Sequence, residues 1–515
     1  MKRPPSLNPS PAWRGREPRG IIAERLAAEV GSVRKDAPER VALVYPSPYH
    51  VGMSSLGFLT IYREINAHPR RVAERAFLPD GAKKERAATA PLLTYESGRP
   101  VGDHAVVAFS VAYELELAGL VEALELAGIP PLAEERDARH PFILCGGPLT
   151  NSNPVPLAAF ADAVLMGEAD ETIHHALDVL FAARDKDDAR RALAREVPSC
   201  WVPALHGATL PPLGKCDDAR LPAWSPIRTP NTELSEMLLI EAERGCSRGC
   251  KYCVMRRSTN GGMRVVDAER ILALVPPDAR RVGLVGAAVS DHPRIVDIVE
   301  RLAARGCSVG LSSLRPDRLT DPFVGALKKA GGRTLTTALD APSQRLRDTI
   351  ERRAKESTLL RCAELAHKHG FARLKVYMMV GLPSETDADI DELARFAQEL
   401  ARVHPTTLGI APFVAKRNTP LDGEPFAGID TVQDRLARLR RSLAGRVELR
   451  ATSARWAWVE YVLAQGDAAT GRAVMDAARA GGRFSDYRKA FEQLRRAEPA
   501  TTTPGARPLA LPVVA

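Results

Sequence analysis

Cys246, Cys250 and Cys253 are the residues whose types and spacing point most directly to chemistry in this chain. They lie in the stretch Ile240-Glu-Ala-Glu-Arg-Gly-Cys-Ser-Arg-Gly-Cys-Lys-Tyr-Cys253. The C-x3-C-x2-C spacing brings three thiolates together on one loop, which suits three irons of a [4Fe-4S] cluster and leaves the fourth iron open. A structural zinc site is the alternative, but it closes with four ligands and this stretch offers three. Unligated thiols are a further alternative.

The surroundings of the cysteines resemble the radical S-adenosylmethionine (radical SAM) superfamily. A strand-like run, Met237 to Ile240, leads into the loop, and the aromatic Tyr252 precedes the last cysteine. The resemblance implies that the three cysteines hold the cluster, that Tyr252 lies at the cofactor site and that the open iron binds S-adenosylmethionine. It also implies one-electron reduction to give a 5′-deoxyadenosyl radical, with an electron donor such as flavodoxin or ferredoxin as partner.

Composition predicts an ordinary cytoplasmic protein of several domains. At 515 residues, with 45% hydrophobic and 26% charged residues, the chain is expected to form two to four domains. No apolar run approaches the roughly 18 residues of a membrane span, and Met1 to Gly20 lacks the apolar centre of a signal peptide. The other cysteines show no regular pairing, which predicts a reducing compartment. They are Cys145, Cys200, Cys216, Cys307 and Cys362.

The positive charge of the chain raises the question of nucleic-acid binding. The formal net charge is +9, but the basic residues are spread along the chain and interleaved with acids. Aromatic residues make up only 5%, so stacking platforms for bases are scarce. The sequence therefore disfavours a nucleic-acid partner and favours a small-molecule substrate.

The N-terminal part predicts an α/β domain with a doubly wound parallel sheet. An arm, residues 1–36, with a disordered start, precedes a domain at 37–185 in which apolar strands such as Val41 to Tyr45 alternate with helices. Ligands of such sheets lie beyond the carboxyl ends of the strands. A proline-rich stretch, residues 186–232, is predicted to be an extended connector.

Small residues at those strand ends resemble a cobalamin-binding domain that precedes the catalytic domain in one large radical SAM subgroup. By this resemblance Ser110, Gly146, Gly147 and Gly167 contact cobalamin. A tight turn is the alternative for Gly146 and Gly147. The D-x-H-x-x-G motif is absent and His50 is only a fragment of it, so cobalamin would be held without a protein histidine. An ordinary loop residue is the alternative for His50.

From residue 233 to 420, strands and helices alternate in six units, which predicts a partial (β/α)6 barrel with its site at the carboxyl ends of the strands. The predicted strands are Met237 to Ala242, Arg281 to Val285, Ser308 to Ser312, Thr334 to Leu339, Arg373 to Val380 and Thr407 to Ala411. A helical C-terminal domain at 421–500 is expected to close the barrel mouth, and a flexible tail follows at 501–515.

Several segments of the barrel resemble one subfamily of cobalamin-type radical SAM proteins of largely unassigned substrate. They begin at Leu284, Leu311, Leu374 and Ala411, and the third reads Leu-Lys-Val-Tyr-Met-Met-Val-Gly-Leu-Pro-Ser-Glu-Thr386. The resemblance implies two groups of cofactor contacts. The methionine end of S-adenosylmethionine would meet Gly286, Ala287, Ser312 and Arg315, and its adenine and ribose would meet Lys375 and the residues Gly381 to Pro383.

The chain departs from this subfamily at several positions. The acid that usually follows Gly286-Ala287 is absent. Asp340 stands where a glutamate is usual, and Glu351 and Arg352 replace an asparagine and a lysine. Asp340 and Tyr377 are the predicted catalytic residues, because both would point polar groups into the barrel. For Arg315 and Lys375 a salt bridge at the barrel rim is the alternative.

These features predict a radical SAM enzyme, with a cobalamin-dependent methyltransferase of a small-molecule carbon centre as the main hypothesis. One alternative keeps the cluster but performs hydrogen abstraction, cyclisation or sulfur insertion without cobalamin. A methylthiotransferase fits poorly, because its second cluster needs a compact array of N-terminal cysteines. Here Cys145, Cys200 and Cys216 are widely spaced. A non-catalytic Fe-S protein is the third alternative.

Overall fold

A computed structural model describes residues 18–81, 91–255, 262–312 and 314–497. These residues form two compact units. The first contains the residues up to Glu236 together with those from Val462 onward, and the second spans Met237–Tyr461. The predicted disordered start of the arm and the predicted flexible tail at 501–515 lie outside the described residues.

The first unit is built on a six-stranded sheet in the order β2-β1-β3-β4-β5-β6. Its strands are β1 (Glu39–Pro48), β2 (Arg71–Leu78), β3 (Val106–Ser110), β4 (Phe142–Gly146), β5 (Ala163–Leu165) and β6 (Cys200–Trp201). All neighbours are parallel except β5 and β6. Apolar residues of the strands pack with the helices Leu56–Ala67 and Thr172–Ala182 in one core. The predicted α/β class with a parallel sheet is confirmed.

Strand β2 was not among the predicted strands, because charged residues interrupt its apolar pattern. Arg71, Glu74 and Arg75 are all at most 1% exposed. Arg75 is held by Glu29 at 2.7 Å and by Glu96 at 2.6 Å. Such a buried cation is tolerated only when it is paired and hydrogen-bonded. These partners come from distant parts of the chain, so the local sequence pattern does not predict a buried strand here.

The stretch predicted as an extended connector begins with regular structure. Lys186–Glu196 is a helix whose N-terminus is capped by Asp185, which accepts a hydrogen bond from the Asp188 N–H at 2.7 Å. Strand β6 and the short helix Pro203–His206 follow. Only Ala189 and Leu193 of the first helix are buried. Most of its other residues are charged, so the sequence shows no clear apolar periodicity. The structure therefore differs from the prediction over residues 186–206.

The second unit contains the six predicted strands and three more. They are β7 (Met237–Glu241), β8 (Glu243–Gly245), β9 (Met263–Val265), β10 (Arg281–Val285), β11 (Ser308–Leu311), β12 (Thr334–Asp340), β13 (Arg373–Val380), β14 (Thr406–Pro412) and β15 (Glu448–Ala451). Parallel sheets form in the orders β11-β10-β7 and β12-β13-β14-β15, and β8 pairs antiparallel with β9.

Helices follow the strands of the second unit as in a partial (β/α)6 barrel, which confirms the predicted fold class. They are Ala268–Ala273, Ile295–Ala304, Asp321–Lys329, Glu356–Lys368 and Asp387–Val403. A further short helix, Gln344–Thr349, follows β12. Strands β8, β9 and β15 were not predicted. Strand β15 adds a parallel neighbour to β14.

The C-terminal helical segment is divided between the two units instead of forming one helical domain. Its helices are Ile429–Leu443, Ala454–Ala464, Ala468–Ala480 and Phe484–Ala497. Residues from Val462 onward belong to the first unit. There Asn153 donates hydrogen bonds to the carbonyls of Leu463 and Gly466 at 3.1 and 2.8 Å. A Cβ on Gly471 would lie 2.2 Å from the Pro156 carbonyl oxygen, so the last helices pack closely against the rest of the first unit.

No helix within the described ranges is long and apolar enough to cross a membrane.

Candidate active site

The three clustered cysteines lie on a loop that follows β8 at the carboxyl end of β7. Cys246, Cys250 and Cys253 are partly exposed, whereas the other five cysteines are buried. The loop is tied to the chain after the helix Gln344–Thr349. The Lys251 N–H donates to the Ile350 carbonyl at 3.0 Å, and the Cys250 sulfur lies 3.9 Å from the Glu351 carbonyl oxygen.

The environment of the thiols fits a bound metal cluster. Burial raises the pKa of Cys246 and raises that of Cys253 to about 11, and the neighbouring sulfurs add to both effects. Backbone N–H groups of Arg248 and Met255 donate to these two sulfurs and act in the opposite direction. Thiolates in this loop therefore need a nearby cation, which iron would supply. Hydrogen bonds to the sulfurs are also a means of tuning a cluster.

A site for one metal ion is a different requirement. Among the residues that the structure describes, no three His, Cys, Asp or Glu side chains are placed to hold a single ion. In a [4Fe-4S] cluster each cysteine binds a different iron. The ligands available to a cluster are thus the three thiols of the loop.

A charged network joins this loop to the end of β12. Arg352 Nε forms an ion pair with the Asp340 carboxylate, and Arg352 also donates to the Ala338 carbonyl at 3.2 Å. The same guanidinium hydrogen-bonds Cys250, and Tyr252 donates to Asp340. Burial acts to lower the pKa of Arg352, but Asp340, Tyr252 and Cys250 outweigh it and raise that pKa. The network places a permanent positive charge beside one cluster cysteine.

The backbone around this network is unusual. Asp340, Glu351 and Arg353 have positive φ angles of 69°, 56° and 55°, which non-glycine residues rarely adopt. Left-handed residues of this kind concentrate at functional sites, where the surrounding structure holds them in place. Asp340 and the turn that carries Arg352 meet beside Cys250. The predicted catalytic Asp340 thus holds Arg352 and Tyr252, and its geometry is that of a positioning residue.

A buried carboxyl group that the sequence did not indicate lies under the turn after β10. Glu243 is 0% exposed, and its Oε1 accepts a hydrogen bond from the Ala288 N–H at 2.6 Å. A Cβ on Gly286 would lie 2.2 Å from that oxygen. Glu243 Oε2 has no hydrogen-bond partner among the described residues. Burial raises the pKa of Glu243 to about 7, and the nearby Glu241 and Asp291 contribute.

This contact explains how the chain accommodates the missing acid after Gly286 and Ala287. Glu243 reaches the turn from β8, and Ser312 contacts it from the end of β11. Ser312 Oγ accepts from the Gly286 N–H at 3.2 Å and donates to the Gly286 carbonyl at 2.9 Å. The structure therefore brings Ser312 to the turn of Gly286 and Ala287, and the contact of these residues with S-adenosylmethionine stays a prediction. The signal in the sequence was a glutamate three residues before the first cysteine.

Arg315 and the turn Gly381 to Pro383 make contacts within the protein. Arg315 is 8% exposed and pairs with Asp317 at 2.9 Å and with Asp291 at 3.4 Å, which is the geometry of the salt-bridge alternative. The Gly381 N–H donates to Glu385 at 2.9 Å, and Gly381 has a φ of +84°. The turn before Pro383 is thus fixed by Glu385. Lys375 and Tyr377 lie on β13, where Lys375 Nζ donates to the Tyr377 hydroxyl at 2.8 Å.

The predicted cobalamin contacts form a separate group in the first unit. Gly147 has a φ of +104°, and a Cβ there would lie 2.7 Å from the Val111 carbonyl oxygen. A Cβ on Gly167 would lie 2.6 Å from the Gly214 carbonyl oxygen. Ser110 and Gly146 end the paired strands β3 and β4. The structure gathers these residues at the carboxyl edge of the sheet, and Gly147 and Gly167 serve close packing of loops there.

Two further residues at this edge complete the description. His50 lies in the one-turn helix Tyr49–Gly52, and its Nδ1 is 3.6 Å from the Asp80 carboxylate. Glu116 is 3% exposed and accepts from the Ala112 N–H at 2.6 Å. Burial raises the pKa of Glu116 to about 7. Like Glu243, this buried carboxyl was not indicated by the sequence pattern.

Two protein-family models match the chain, one within each unit. Residues 240–397 match the family described as Radical SAM superfamily, and residues 57–203 match the family described as Radical SAM proteins, N-terminal. The two matches together take in more than half of the chain.

Two relatives and one solved structure illustrate the similarity. An uncharacterized protein of Methanocaldococcus jannaschii is 28% identical over 295 residues, which are 55% of this chain and 62% of the relative. The ribosomal protein uS12 methylthiotransferase RimO of Geobacter sulfurreducens is 28% identical over 222 residues, 39% of this chain and 47% of the relative. The chain thus spans less than two thirds of either relative. The cobalamin-dependent S-adenosylmethionine radical enzyme OxsB with aqua-cobalamin bound has a TM-score of 0.49 at 11% identity, covering 70% of this chain and 52% of that one.

Proposed function

We propose that this chain, a radical SAM enzyme by its two family matches, is a cobalamin-dependent methyltransferase acting on a carbon centre of a small molecule. The observation that carries the radical chemistry is the three-thiol loop beside the Asp340–Arg352 ion pair. The cobalamin part rests on the resemblance of the strand-end residues of the first sheet, Ser110, Gly146, Gly147 and Gly167, to a cobalamin-binding domain. When bound, a [4Fe-4S] cluster with S-adenosylmethionine supplies a 5′-deoxyadenosyl radical that removes hydrogen from carbon, and a corrinoid supplies the methyl group.

The residues of the chain have separable roles in this proposal. Cys246, Cys250 and Cys253 would hold the cluster. Arg352 sets a positive charge beside Cys250, and Asp340 fixes the orientation of that guanidinium. A fixed cation at this position favours the more negative, reduced form of a cluster, because attraction between opposite charges is strong where water is scarce.

The turn after β10 would hold the methionine end of S-adenosylmethionine. Glu243 anchors the Ala288 N–H from below and Ser312 bridges the N–H and carbonyl of Gly286. These contacts fix the direction of the backbone groups that face a ligand. A rigid turn avoids the reorganisation that would otherwise accompany binding.

The first test measures the radical chemistry. Protein reconstituted anaerobically with iron and sulfide should release 5′-deoxyadenosine from S-adenosylmethionine when a strong reductant is added. Protein with a full complement of iron and sulfide that releases none under any reducing condition would favour a non-catalytic Fe-S protein. An external flavodoxin or ferredoxin should replace the chemical reductant.

The second test concerns cobalamin. Protein purified from cells supplied with hydroxocobalamin should carry one corrinoid per chain in its visible spectrum. With deuterated S-adenosyl-[methyl-2H3]methionine and a cell extract, a product should gain the labelled methyl group in the mass spectrum. Label-free products or a corrinoid-free protein would contradict the methyltransferase proposal.

A second candidate function is a radical SAM reaction without cobalamin. Its support is the packing of the predicted cobalamin edge, where Gly147 and Gly167 are occupied by contacts with Val111 and Gly214. The relation to a methylthiotransferase suggests sulfur insertion as one version of it. The N-terminal cysteines argue against a second cluster, since Cys145, Cys200 and Cys216 are each buried. A protein that releases deoxyadenosine yet binds no corrinoid would select this candidate.

A further inference from the structure

One face of the sheet β12-β13-β14-β15 carries polar groups that the proposed roles leave unused. Along β13 the even-numbered residues are buried, and the odd-numbered residues from Arg373 to Met379 are partly or fully exposed. Met379 packs against the apolar cluster that also contacts Tyr252 of the cysteine loop. The face formed by the odd-numbered residues of β13, here called the open face, is therefore the one that adjoins the cysteine loop.

The open face has an excess of positive charge. Arg373 and Arg450 both form ion pairs with Glu448, and the distance from Arg450 Nε to Glu448 Oε1 is 2.7 Å. Lys375 lies in register with Thr407, which in turn pairs with Glu448. Within the described part of the chain Lys375 has no carboxylate partner; its hydrogen bond goes to Tyr377. Three cations and one carboxylate thus share this surface, and of the three cations Lys375 is the one without an ion pair among the described residues.

Lys375 and Tyr377 together present two hydrogen-bond donors. Lys375 Nζ donates to the Tyr377 oxygen at 2.8 Å, so the phenol proton remains free to donate elsewhere. The ammonium keeps two further protons. Tyr377 is 46% exposed, which is unusual for a large aromatic residue in the middle of a strand. A donor that itself accepts a hydrogen bond from a cation is a stronger donor.

Gly409 on the neighbouring strand allows this arrangement. Tyr377 and Gly409 are register partners in β13 and β14. A Cβ on Gly409 would lie 2.9 Å from Tyr377 Cδ1 and 3.6 Å from Lys375 Cε. Contacts below 3.0 Å cannot be accommodated without movement of the ring. The absence of a side chain at residue 409 therefore lets the Tyr377 ring and the Lys375 stem lie across β14.

We propose that Lys375 and Tyr377 form a binding site for an oxyanion group, a carboxylate or a phosphate, of the substrate. The inference rests on the proposed function, because it takes the open face beside the cysteine loop as the place where the substrate lies. An oxyanion would accept from the ammonium and from the phenol and would balance the charge of Lys375. The substrate class is accordingly a small anionic metabolite.

The test is a binding measurement on the full-length protein with its cluster reconstituted. Inorganic phosphate is followed by 31P relaxation, acetate by proton saturation transfer, and acetamide serves as the neutral counterpart of acetate. Phosphate or acetate should bind in a salt-dependent manner and acetamide should not. Lys375→Gln and Tyr377→Phe should each weaken anion binding about tenfold or more, because a hydrogen bond to a charged group is lost. The relative strengths of phosphate and acetate distinguish the two oxyanions.

Two variants distinguish a specific anion site from non-specific attraction to a positively charged surface. Arg450→Gln removes a positive charge from the same face, but that charge is already paired with Glu448, so anion binding should change less than twofold. Gly409→Ala keeps both donors and displaces the Tyr377 ring, so binding should weaken. Equal losses in Lys375→Gln and Arg450→Gln would overturn the proposal, as would unchanged binding in Lys375→Gln.

One control tests the alternative that Lys375 binds the adenine and ribose of S-adenosylmethionine. 5′-Methylthioadenosine carries adenine and ribose without an oxyanion, and it should not displace bound phosphate. Displacement would overturn the inference. These readouts need no reductant and no turnover. A protein that binds anions as expected but forms no deoxyadenosine would therefore refute the proposed function and leave the anion site standing.

Discussion

The buried carboxyl of Glu243 should make the second unit less stable as the pH rises. Glu243 is 0% exposed, with one oxygen bound to the Ala288 N–H and the other without a partner among the described residues. Glu243→Gln keeps an oxygen that can accept from Ala288 and removes the ionisation. The substitution therefore isolates the cost of charging this group.

The magnitude follows from the pKa. Burial moves the pKa of Glu243 from 4.5 to about 7, and each pKa unit corresponds to about 1.36 kcal/mol. Below pH 4.5 both folded and unfolded chains are protonated at this residue. Between pH 4.5 and 7 the unfolded chain loses the proton while the folded chain keeps it, so stability falls as the pH rises. The loss reaches on the order of 3 kcal/mol above pH 7, or roughly 6–12 °C in Tm.

Thermal unfolding of the wild type and Glu243→Gln at pH 5, 6, 7 and 8 tests this reasoning. The Tm of the variant relative to the wild type should rise steadily with pH and level off above pH 7. Glu300→Gln, the same substitution at an exposed position of the helix Ile295–Ala304, is the control and should show no such trend. A difference between variant and wild type that is the same at pH 5 and pH 8 would refute the argument.

Three further predictions follow from named contacts. Arg352→Gln should leave the iron content of the protein unchanged. It should lower the midpoint potential of the cluster, as checked by an EPR-monitored redox titration, and slow deoxyadenosine release by about tenfold or more. Arg353→Gln, at an exposed neighbour, should behave as the wild type. Gly286→Ala should destabilise the protein by about 1–3 kcal/mol because its Cβ meets the Glu243 carboxyl, and a double-mutant cycle should show most of this loss relieved in Glu243→Ala; a fully additive cycle would contradict the contact. Gly471→Ala should speed limited proteolysis of the C-terminal helices, because its Cβ would lie 2.2 Å from the Pro156 carbonyl oxygen; unchanged cleavage would contradict the assignment of these helices to the first unit.

Much of the fold could be predicted because the strands are apolar and regularly spaced. The six predicted strands of the second unit carry continuous or alternating apolar residues, and the structure contains all of them. Strand β2 escaped prediction because Arg71, Glu74 and Arg75 are buried in ion pairs with residues far along the chain. The division of the helical C-terminus also depends on long-range contacts, such as those of Asn153, which local periodicity does not report.

The site was predictable where its residues are close in sequence. The three cysteines lie within eight residues of one another, so their spacing alone predicts a cluster site. Glu243 was not predicted, because its importance comes from contact with Gly286 and Ala288 in the turn after β10, which is distant in the sequence. The pairing of Asp340 with Arg352 likewise depends on a left-handed bend at Asp340, which no propensity for aspartate would indicate. The roles of the predicted cofactor contacts remain predictions.

The most direct measurement of the central claim is the EPR spectrum of the anaerobically reconstituted, reduced protein with and without S-adenosylmethionine. A [4Fe-4S] cluster held by Cys246, Cys250 and Cys253 has one open iron, so the spectrum should change when S-adenosylmethionine is added, and the signal should be absent from the variant with all three cysteines changed to alanine. A cluster signal that persists in the triple variant, or a wild-type protein that retains one zinc and no iron, would contradict the account.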